Sequence, residues 1–534
     1  MEYLELAKEQ ISKKMYLQAL NLLTEFDKKY PGNVDTSFYF GKCNFYLEQY
    51  QIAGDFFKKV LGSDVSSKEN KKYSEYYLAM IYNRQKKYTD MIDVLLSLEL
   101  DEKHEKHIGL LGIINDLISS IKDKSLQLSA DIQNDKMLKI IDKFCADSAV
   151  SKSVLENAGD FILNIMQTYN YCGEYGKTIN LYQKYHDKYL KNIFLSNKFL
   201  NEYELAQHKV ILESKPRNIM LVLTNTCDLN CIMCYQNKNP ARNIDKKLVD
   251  IVLDNLQYLE KIIWQGGEVL ILPYFKNILL KTLQFPAIQQ IITSNFQNVS
   301  DDIIELIPKN NINLTISIDG AVKQTYEKIR LGASFDKLEK NLKKLNHYMN
   351  VSVSKMSLQI NFLVMRMNYK EIPDIVDFAN KYKFSIIVFL RCVTDDLNFK
   401  ITKELEKDVG FFISQATEKA EKYNIKIINV FSQFNDSVSN DKENIPEKEI
   451  SCHGLFCHLP WYEMVIHEDN AVKPHCTCEY SGVSDTGKFN NIYDIWNSQT
   501  MQKYREGILK ADNGKCIDIC RLMSLDARKK ITDK

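Results

Sequence analysis

Hydrophobic and polar positions follow two rhythms along this chain, and the change between them falls near Pro216. Over residues 1–205 apolar side chains recur at the three-and-four spacing of amphipathic helices, with few strand signals. Beyond Pro216, NIMLVLTNT, EKIIWQGGE, IQQIITSN, INLTISIDG, MSLQINFLVM and FSIIVFLRC predict buried strands. Between them, DKKLVDIVLDNLQYL, YFKNILLKTL and SFDKLEKNLKKLNHYM predict helices. Strand then helix, repeated about six times, implies a parallel sheet, open or closed into a barrel. In such folds chemistry gathers where strands end and loops begin. A polar stretch over 433–451 predicts a linker, and the tail at 452–534 holds six of the thirteen cysteines.

The helical part repeats. MYLQALNLL, QYQIAGDFF and KYTDMIDVL each place a tyrosine, Tyr16, Tyr50 or Tyr88, shortly before a small or aliphatic residue and an apolar pair. The first two tyrosines lie 34 apart and the next two 38 apart, and Gly41 and Ala79 are also 38 apart. A late echo, EYGKTINLYQKY, begins at Glu174, whereas 97–160 is too irregular to divide. This pattern resembles tetratricopeptide repeats, in which a small residue lets paired helices approach and stacked pairs bury a continuous core. The resemblance implies an all-α solenoid over 1–205.

Composition narrows the function. A chain of 534 residues implies roughly three folding units. Hydrophobic content of 45% and charged content of 26% are those of a globular protein. Seventy lysines and arginines against 69 aspartates and glutamates leave no bulk field to gather nucleic acid or anionic lipid. The N-terminal MEYLELAKEQISKK lacks the apolar core of a signal peptide, and no run of about 18 apolar residues occurs. The expectation is a cytoplasmic protein without nucleic acid or membrane partners. There thiols stay reduced, so clustered cysteines point to metal or catalysis, and Cys43, Cys145 and Cys172 to core positions.

The sharpest chemical signal is TNTCDLNCIMCYQ, with Cys227, Cys231 and Cys234 in C-x3-C-x2-C spacing. An iron–sulfur cubane takes one thiolate per iron, so three ligands leave one iron open. Half a zinc site is the alternative reading of the same residues. The spacing resembles the cluster motif of the radical S-adenosylmethionine (SAM) superfamily, whose open iron is chelated by the amino and carboxylate groups of SAM. WQGGEV resembles the family's GGE motif. There Gly266 and Gly267 bring backbone near SAM and Glu268 meets its ammonium. ITSN, ending in Ser294 and Asn295, sits where the family's fourth-strand motif contacts the ligand. LTISIDGAVKQTYEKIR resembles the family's fifth strand and loop, which implies that Ser317 and Arg330 hold SAM, the arginine through a planar fork. Asp319 belongs to the same site, where it orients the turn, contacts substrate or caps a helix. The implied fold over 214–432 is a partial (β/α)6 barrel.

The tail carries CHLPW from Cys457, VIHEDNAVKPHC ending at Cys476, IYDIWNS, and Cys516 with Cys520. It resembles the SPASM/twitch domains that follow some radical SAM barrels. By that resemblance Cys457, Cys476, Cys516 and Cys520 hold an auxiliary [4Fe–4S] cluster. Asp469-Asn470 replaces the usual DG turn, a departure that asparagine tolerates at positive φ. The C-x2-C-x5-C element of full SPASM domains is absent from the sequence. Cys452 and Cys478 remain as additional ligands, ligands of a second cluster, or buried thiols. His453, His458 and His475 become ligands if the metal is zinc and polar neighbours if it is iron–sulfur.

The chemistry implied is reductive cleavage of SAM to a 5′-deoxyadenosyl radical, which abstracts hydrogen from substrate, with flavodoxin or ferredoxin as the class of reductant. Cys392 ends FSIIVFLRC at a strand end facing the site. It reads either as a hydrogen donor, as in some radical SAM epimerases, or as a small residue of the sheet rim. The repeats favour a peptide or protein substrate. A sugar or surface-glycan precursor, oxidised or epimerised, is the alternative. A repeat-based scaffold with an inactive or zinc-bound barrel is the non-enzyme reading.

Overall fold

The computed structural model describes residues 2–85, 87–98, 136, 138–142, 152–234, 240–392, 396–431, 457–475, 478 and 489–510. The chain divides into two compact units, Met1–Thr168 and Tyr169–Lys534.

In the first unit the predicted helical rhythm becomes α1 (Glu2–Ser12), α2 (Tyr16–Lys29), α3 (Val34–Tyr46), α4 (Tyr50–Leu61), α5 (Lys68–Arg84) and α6 (Tyr88–Ser97). Each marker tyrosine opens the second helix of a pair. The turn before it closes in the same way each time. Met15 N donates to Gln10 O, Gln49 N to Asn44 O and Lys87 N to Tyr82 O, at 2.9 Å in every case. This wide turn satisfies the orphan carbonyls that any helix end leaves. Asn33 and Ser67 cap the starts of α3 and α5 by accepting from Thr36 N and Asn70 N. Gly41 acts as expected of a small residue, since a Cβ there would lie 2.7 Å from the Phe57 ring. Cys43 is fully buried in this unit, whereas Cys172, in the second, is half-buried. Cys145 lies outside the described residues.

The second unit is built on one nine-stranded sheet: β1 (Asn218–Val222), β2 (Lys261–Gln265), β3 (Gln289–Ser294), β4 (Asn313–Ser317), β5 (Leu358–Val364), β6 (Ile386–Arg391), β7 (Lys426–Asn429), β8 (Glu463–Ile466) and β9 (Val472–Lys473). Their order is β7-β6-β5-β4-β3-β2-β1-β8-β9. All neighbours are parallel except β8 and β9. The six foreseen strands form the centre, a partial α/β barrel with a helical crossover after each. One expectation needs correction. ITSN ends the third strand and LTIS is the fourth, because residues 266–288 hold a single helical crossover, Phe275–Thr282, and no further strand. β7, β8 and β9 were not legible as strands. They are short and extend the sheet at its two edges.

A large apolar core joins the sheet to its helices, with Trp264, Phe275, Phe296, Ile316, Ile360 and Phe389 inaccessible to solvent. At the amino ends of β1 and β2, Arg217 bridges Glu202 at 2.5 Å and Glu260 at 2.7 Å, and Tyr462 donates to Glu202 at 2.7 Å. The C-terminal helices are fastened by buried polar side chains that bond to backbone. Asn497 pairs with Leu212 through both its amide atoms at 2.8 and 2.9 Å. The fully buried Arg505 donates to the carbonyls of Val210, Pro460 and Trp496. At the β8–β9 turn Asn470 has φ +69°, the conformation expected of the residue replacing the usual glycine. Among the described residues no helix is long and apolar enough to cross a membrane.

Candidate active site

The parallel register brings the sequence-predicted residues to one edge. Val222 pairs with Gln265, Trp264 with Ile292, Ser294 with Ile316, Ser317 with Asn361 and Val364 with Arg391. The segments following these strands therefore emerge side by side: Thr224–Cys234, Gly266–Glu268, Asn295, Asp319 and Cys392. Side chains at such ends surround a common space without interrupting the ladder below.

The cysteine loop is held by backbone. Gly267 N donates to Thr224 O at 2.7 Å and Glu268 N to Thr226 O at 2.9 Å. The glycines make this approach possible, because a Cβ on Gly266 would lie 2.5 Å from Thr224 O and one on Gly267 2.2 Å from Thr226 O. The resemblance assigned that space to SAM, but on the side where a Cβ would project the neighbour is the chain's own backbone. Asn230 N and Ile232 N donate to Leu331 O and Ile329 O, which ties the loop's far side to the residues around Arg330.

Glu268 is buried and accepts from Leu270 N at 3.0 Å, Asn295 N at 2.7 Å and the Ser294 hydroxyl at 3.0 Å. Burial pushes its carboxyl up to about 7, against the pull of these donors. Three donors leave about one acceptor site on the carboxylate for an ammonium. Asp319, also buried, bridges Arg330 at 2.6 Å and accepts from Leu363 N at 2.8 Å. Arg330 Nη1 lies 3.9 Å from the Cys231 sulfur, while its buried Nε has no hydrogen-bond partner. A buried guanidinium donor without a partner suits an incoming carboxylate.

Cys227 Sγ accepts from Leu229 N at 3.4 Å and from Asn295 Nδ2 at 3.7 Å. Burial pushes the Cys227 thiol up to about 12 and raises Cys231 and Cys392 as well. Cys392 is buried in an apolar cluster with Ile329 and Met365, edged by Ile232 and Met233 of the cysteine loop. The strand-end cysteine and the cysteine loop thus share one apolar wall.

Sequence reasoning missed several asparagines that fix the loops. Asn225 accepts from Arg242 N at 2.7 Å and donates to Pro240 O at 2.8 Å. Asn368 accepts from Met365 N and donates to Asp319 O and Leu363 O. They stand in polar loops like any other asparagine, and only the fold shows what they join. Of the proposed tail ligands, Cys457 and Cys478 are described and Cys452, Cys476, Cys516 and Cys520 lie outside the described residues, as does His453. His475 lies 3.6 Å from Glu463, and His458 packs edge-on to Tyr462.

The residues at the strand ends fit a cubane and SAM: three soft thiols on one loop, donors directed at two of them, and an unpartnered guanidinium nitrogen nearby. Among the described residues no three His, Cys, Asp or Glu converge tightly enough to hold a single ion. A cubane, which spreads its thiolates over separate irons, does not require that convergence.

Comparison with known proteins bears on the same stretch. Residues 221–379 match the model of the Radical SAM superfamily. GTP 3',8-cyclase of Clostridium botulinum (strain Okra / Type B1) is 25% identical over 177 residues, 31% of this chain and 53% of that protein. Probable GTP 3',8-cyclase of Methanocaldococcus jannaschii is 24% identical over 169 residues, 30% of this chain and 55% of that protein. The chain thus spans about half the length of the curated relatives it matches. Among solved structures, Streptococcus suis SuiB bound to precursor peptide SuiA aligns over 64% of this chain and 78% of that one, with 19% identity and a TM-score of 0.46. Native anSMEcpe with bound AdoMet and Cp18Cys peptide aligns over 60% and 95%, with 15% identity and a TM-score of 0.41. The cysteine loop, the GGE turn and the Asp319–Arg330 pair all fall inside the residues that match the Radical SAM superfamily model.

Proposed function

We propose that this chain is a radical SAM enzyme that abstracts hydrogen from a peptide or protein substrate. The observation that carries the reading is the convergence of the C-x3-C-x2-C loop, the GGE turn and Arg330 at one end of the parallel sheet, within the matched domain. When bound, the cluster and SAM supply reductive cleavage of the SAM sulfonium and hydrogen-atom abstraction from an unactivated C–H bond. Cys227, Cys231 and Cys234 would hold the cluster. Arg330, oriented by Asp319, would take the SAM carboxylate, and the open acceptor site of Glu268 its ammonium. Ser294, Asn295 and Ser317 complete that wall of the site. The apolar cluster of Ile329, Met365 and Cys392 excludes water from the cysteine loop.

Support for a peptide or protein substrate comes from the first unit. Its pairs close through identical turns, as stacked tetratricopeptide-like repeats do, and it leaves Tyr3, Leu17, Tyr46 and Ile52 exposed for an extended chain to cover. Oxidative modification is the outcome we assign, with Cys457, Cys476, Cys516 and Cys520 holding an auxiliary cluster and a flavodoxin or ferredoxin as electron donor. Cys392 supports a second outcome, hydrogen return in an epimerisation, because it is buried on the same apolar wall as the cysteine loop.

The test is anaerobic reconstitution with iron and sulfide, followed by measurement of iron per chain and of 5′-deoxyadenosine formed from SAM after reduction. About eight irons with deoxyadenosine produced, about four of them and all deoxyadenosine lost in the Cys227, Cys231, Cys234→Ala variant, is the expected result. Bound zinc without SAM cleavage would overturn the reading.

A further inference from the structure

The turn after β3 has an unusual build. Phe296, fully buried, has φ +57°, a conformation that a bulky side chain rarely adopts. Neighbours hold it there: Phe296 N donates to Ser294 Oγ at 2.8 Å, and Asn341 Nδ2 donates to Phe296 O at 2.9 Å and to Gln297 O at 3.0 Å. Backbone strain that the surroundings enforce in this way marks a place where a side chain must be aimed. The side chain being aimed is Asn295.

Its amide has no freedom left. Oδ1 accepts from Gln297 N at 2.8 Å, which settles which amide atom is nitrogen. One hydrogen of Nδ2 is directed to Asp228 Oδ1 at 2.8 Å, and the other to Cys227 Sγ at 3.7 Å. Asp228 Oδ1 is itself 3.6 Å from that sulfur. As a thiol, Cys227 can donate to the carboxylate. As an iron-bound thiolate it has no proton to give, and two negative groups then face each other in a half-buried site. The Asn295 amide is the group that donates to both. Asp228 is also held by the exposed Asn298, whose Nδ2 donates to Oδ2 at 2.6 Å and which makes no contact with the sulfur.

We propose that Asn295 is a positioning residue for the cluster: by donating to the Cys227 sulfur and to Asp228 together, it holds the cluster's reduction potential above the value that the bare carboxylate would impose. The resemblance placed Asn295 among the SAM contacts, and here its donors are already spent on the cluster side. Hydrogen bonds to cluster sulfurs stabilise the reduced, more negative form, and a nearby anion opposes it. The inference rests on the cluster assignment made above.

The experiment is an EPR-monitored redox titration of the anaerobically reconstituted full chain, following the signal that the Cys227, Cys231, Cys234→Ala variant lacks, with iron content measured alongside. Asn295→Ala should shift the oxidised-to-reduced ratio at fixed potential by about tenfold toward oxidised, a fall of about 59 mV for one electron. Asn295→Asp keeps the acceptor for Gln297 N and loses both donors, and should fall further. Asp228→Asn removes the opposing charge and should rise. Asn298→Ala should move the signal by less than a third of the Asn295→Ala shift. Full iron content with an unmoved potential in Asn295→Ala and Asn295→Asp would overturn the proposal. If both Asn295 variants fail to hold iron, Asp228→Asn decides: a rise supports the proposal and no change refutes it. If the unsubstituted chain shows no cluster signal that depends on the three cysteines, the cluster reading itself has failed.

Discussion

Gly267→Ala tests whether backbone contact between the GGE turn and the cysteine loop holds the site together. The added Cβ would meet Thr226 O at 2.2 Å, Thr226 C at 2.5 Å and Asn225 O at 2.7 Å, all main-chain atoms that no rotamer change can move. The loops must separate, and the bonds from Gly267 N to Thr224 O and from Glu268 N to Thr226 O go with them. Two such bonds contribute about 1 kcal/mol each. Displacement of packed backbone adds roughly 1–3 kcal/mol. The expected loss is therefore about 3–5 kcal/mol. The same substitution at Gly410, inside the helix Lys403–Lys422 with nothing within 4 Å of the new Cβ, should instead stabilise by about 0.5–1 kcal/mol. The assay is urea unfolding followed by tryptophan fluorescence. All three tryptophans, Trp264, Trp461 and Trp496, are buried in the second unit, so the signal reports that unit alone. A Gly267→Ala midpoint equal to or above that of Gly410→Ala would refute the reasoning.

Three further substitutions probe other parts of the second unit. Arg217→Ala leaves the fully buried Glu202 without its cation and should cost about 3–5 kcal/mol by the same fluorescence assay, and a loss under about 1 kcal/mol would show that the bridge is dispensable. Glu268 binds its proton more tightly folded than unfolded, so its contribution is present at acid pH and is lost as pH rises from about 4.5 to about 7. The unsubstituted chain without cofactors should lose about 3 kcal/mol more across that window than Glu268→Gln, and parallel pH curves would contradict the assignment. Arg330→Lys keeps charge but loses the fork. Equilibrium dialysis should find SAM bound about 10–100-fold more weakly at unchanged iron content, and unchanged affinity would remove Arg330 from the SAM site.

The central strands were legible as short apolar-rich segments between turn signals: IIVFLR is apolar up to its last residue, and LQINFLV alternates as a strand does, with every second residue buried. The miscounted strands followed from reading order off a family pattern where the chain's own spacing allowed one crossover. Short edge strands such as KIIN carry too few residues to establish a period. The cysteines and glycines of the site announce themselves because few residue types can do their work. Asn368 and Asp228 do not, and Asn295 was visible only as a SAM contact implied by the resemblance, since each acts through a partner brought near by folding. Asn295 and Asp228 are 67 residues apart, and Asn368 reaches Asp319 across 49. Periodicity reports what a residue's own element requires, and these side chains serve a neighbouring one.

Strand β1 is flanked by β2 on one side and by β8 on the other, where Asn218 pairs with Glu463. The two partners are therefore made at very different times. The first follows within some forty residues, whereas the second is 245 positions later, about 12–50 s of synthesis at ordinary ribosomal rates. For that interval β1, the strand that leads into the cysteine loop, is an open edge offering unpaired amides and carbonyls to any other nascent chain. The β1 edge is covered only when the cysteine-rich tail arrives. Any stop before Glu463 would thus leave a polypeptide that has the cysteine loop and the GGE turn and lacks the strand that covers the edge beside them, and such a chain should aggregate rather than persist in shortened form.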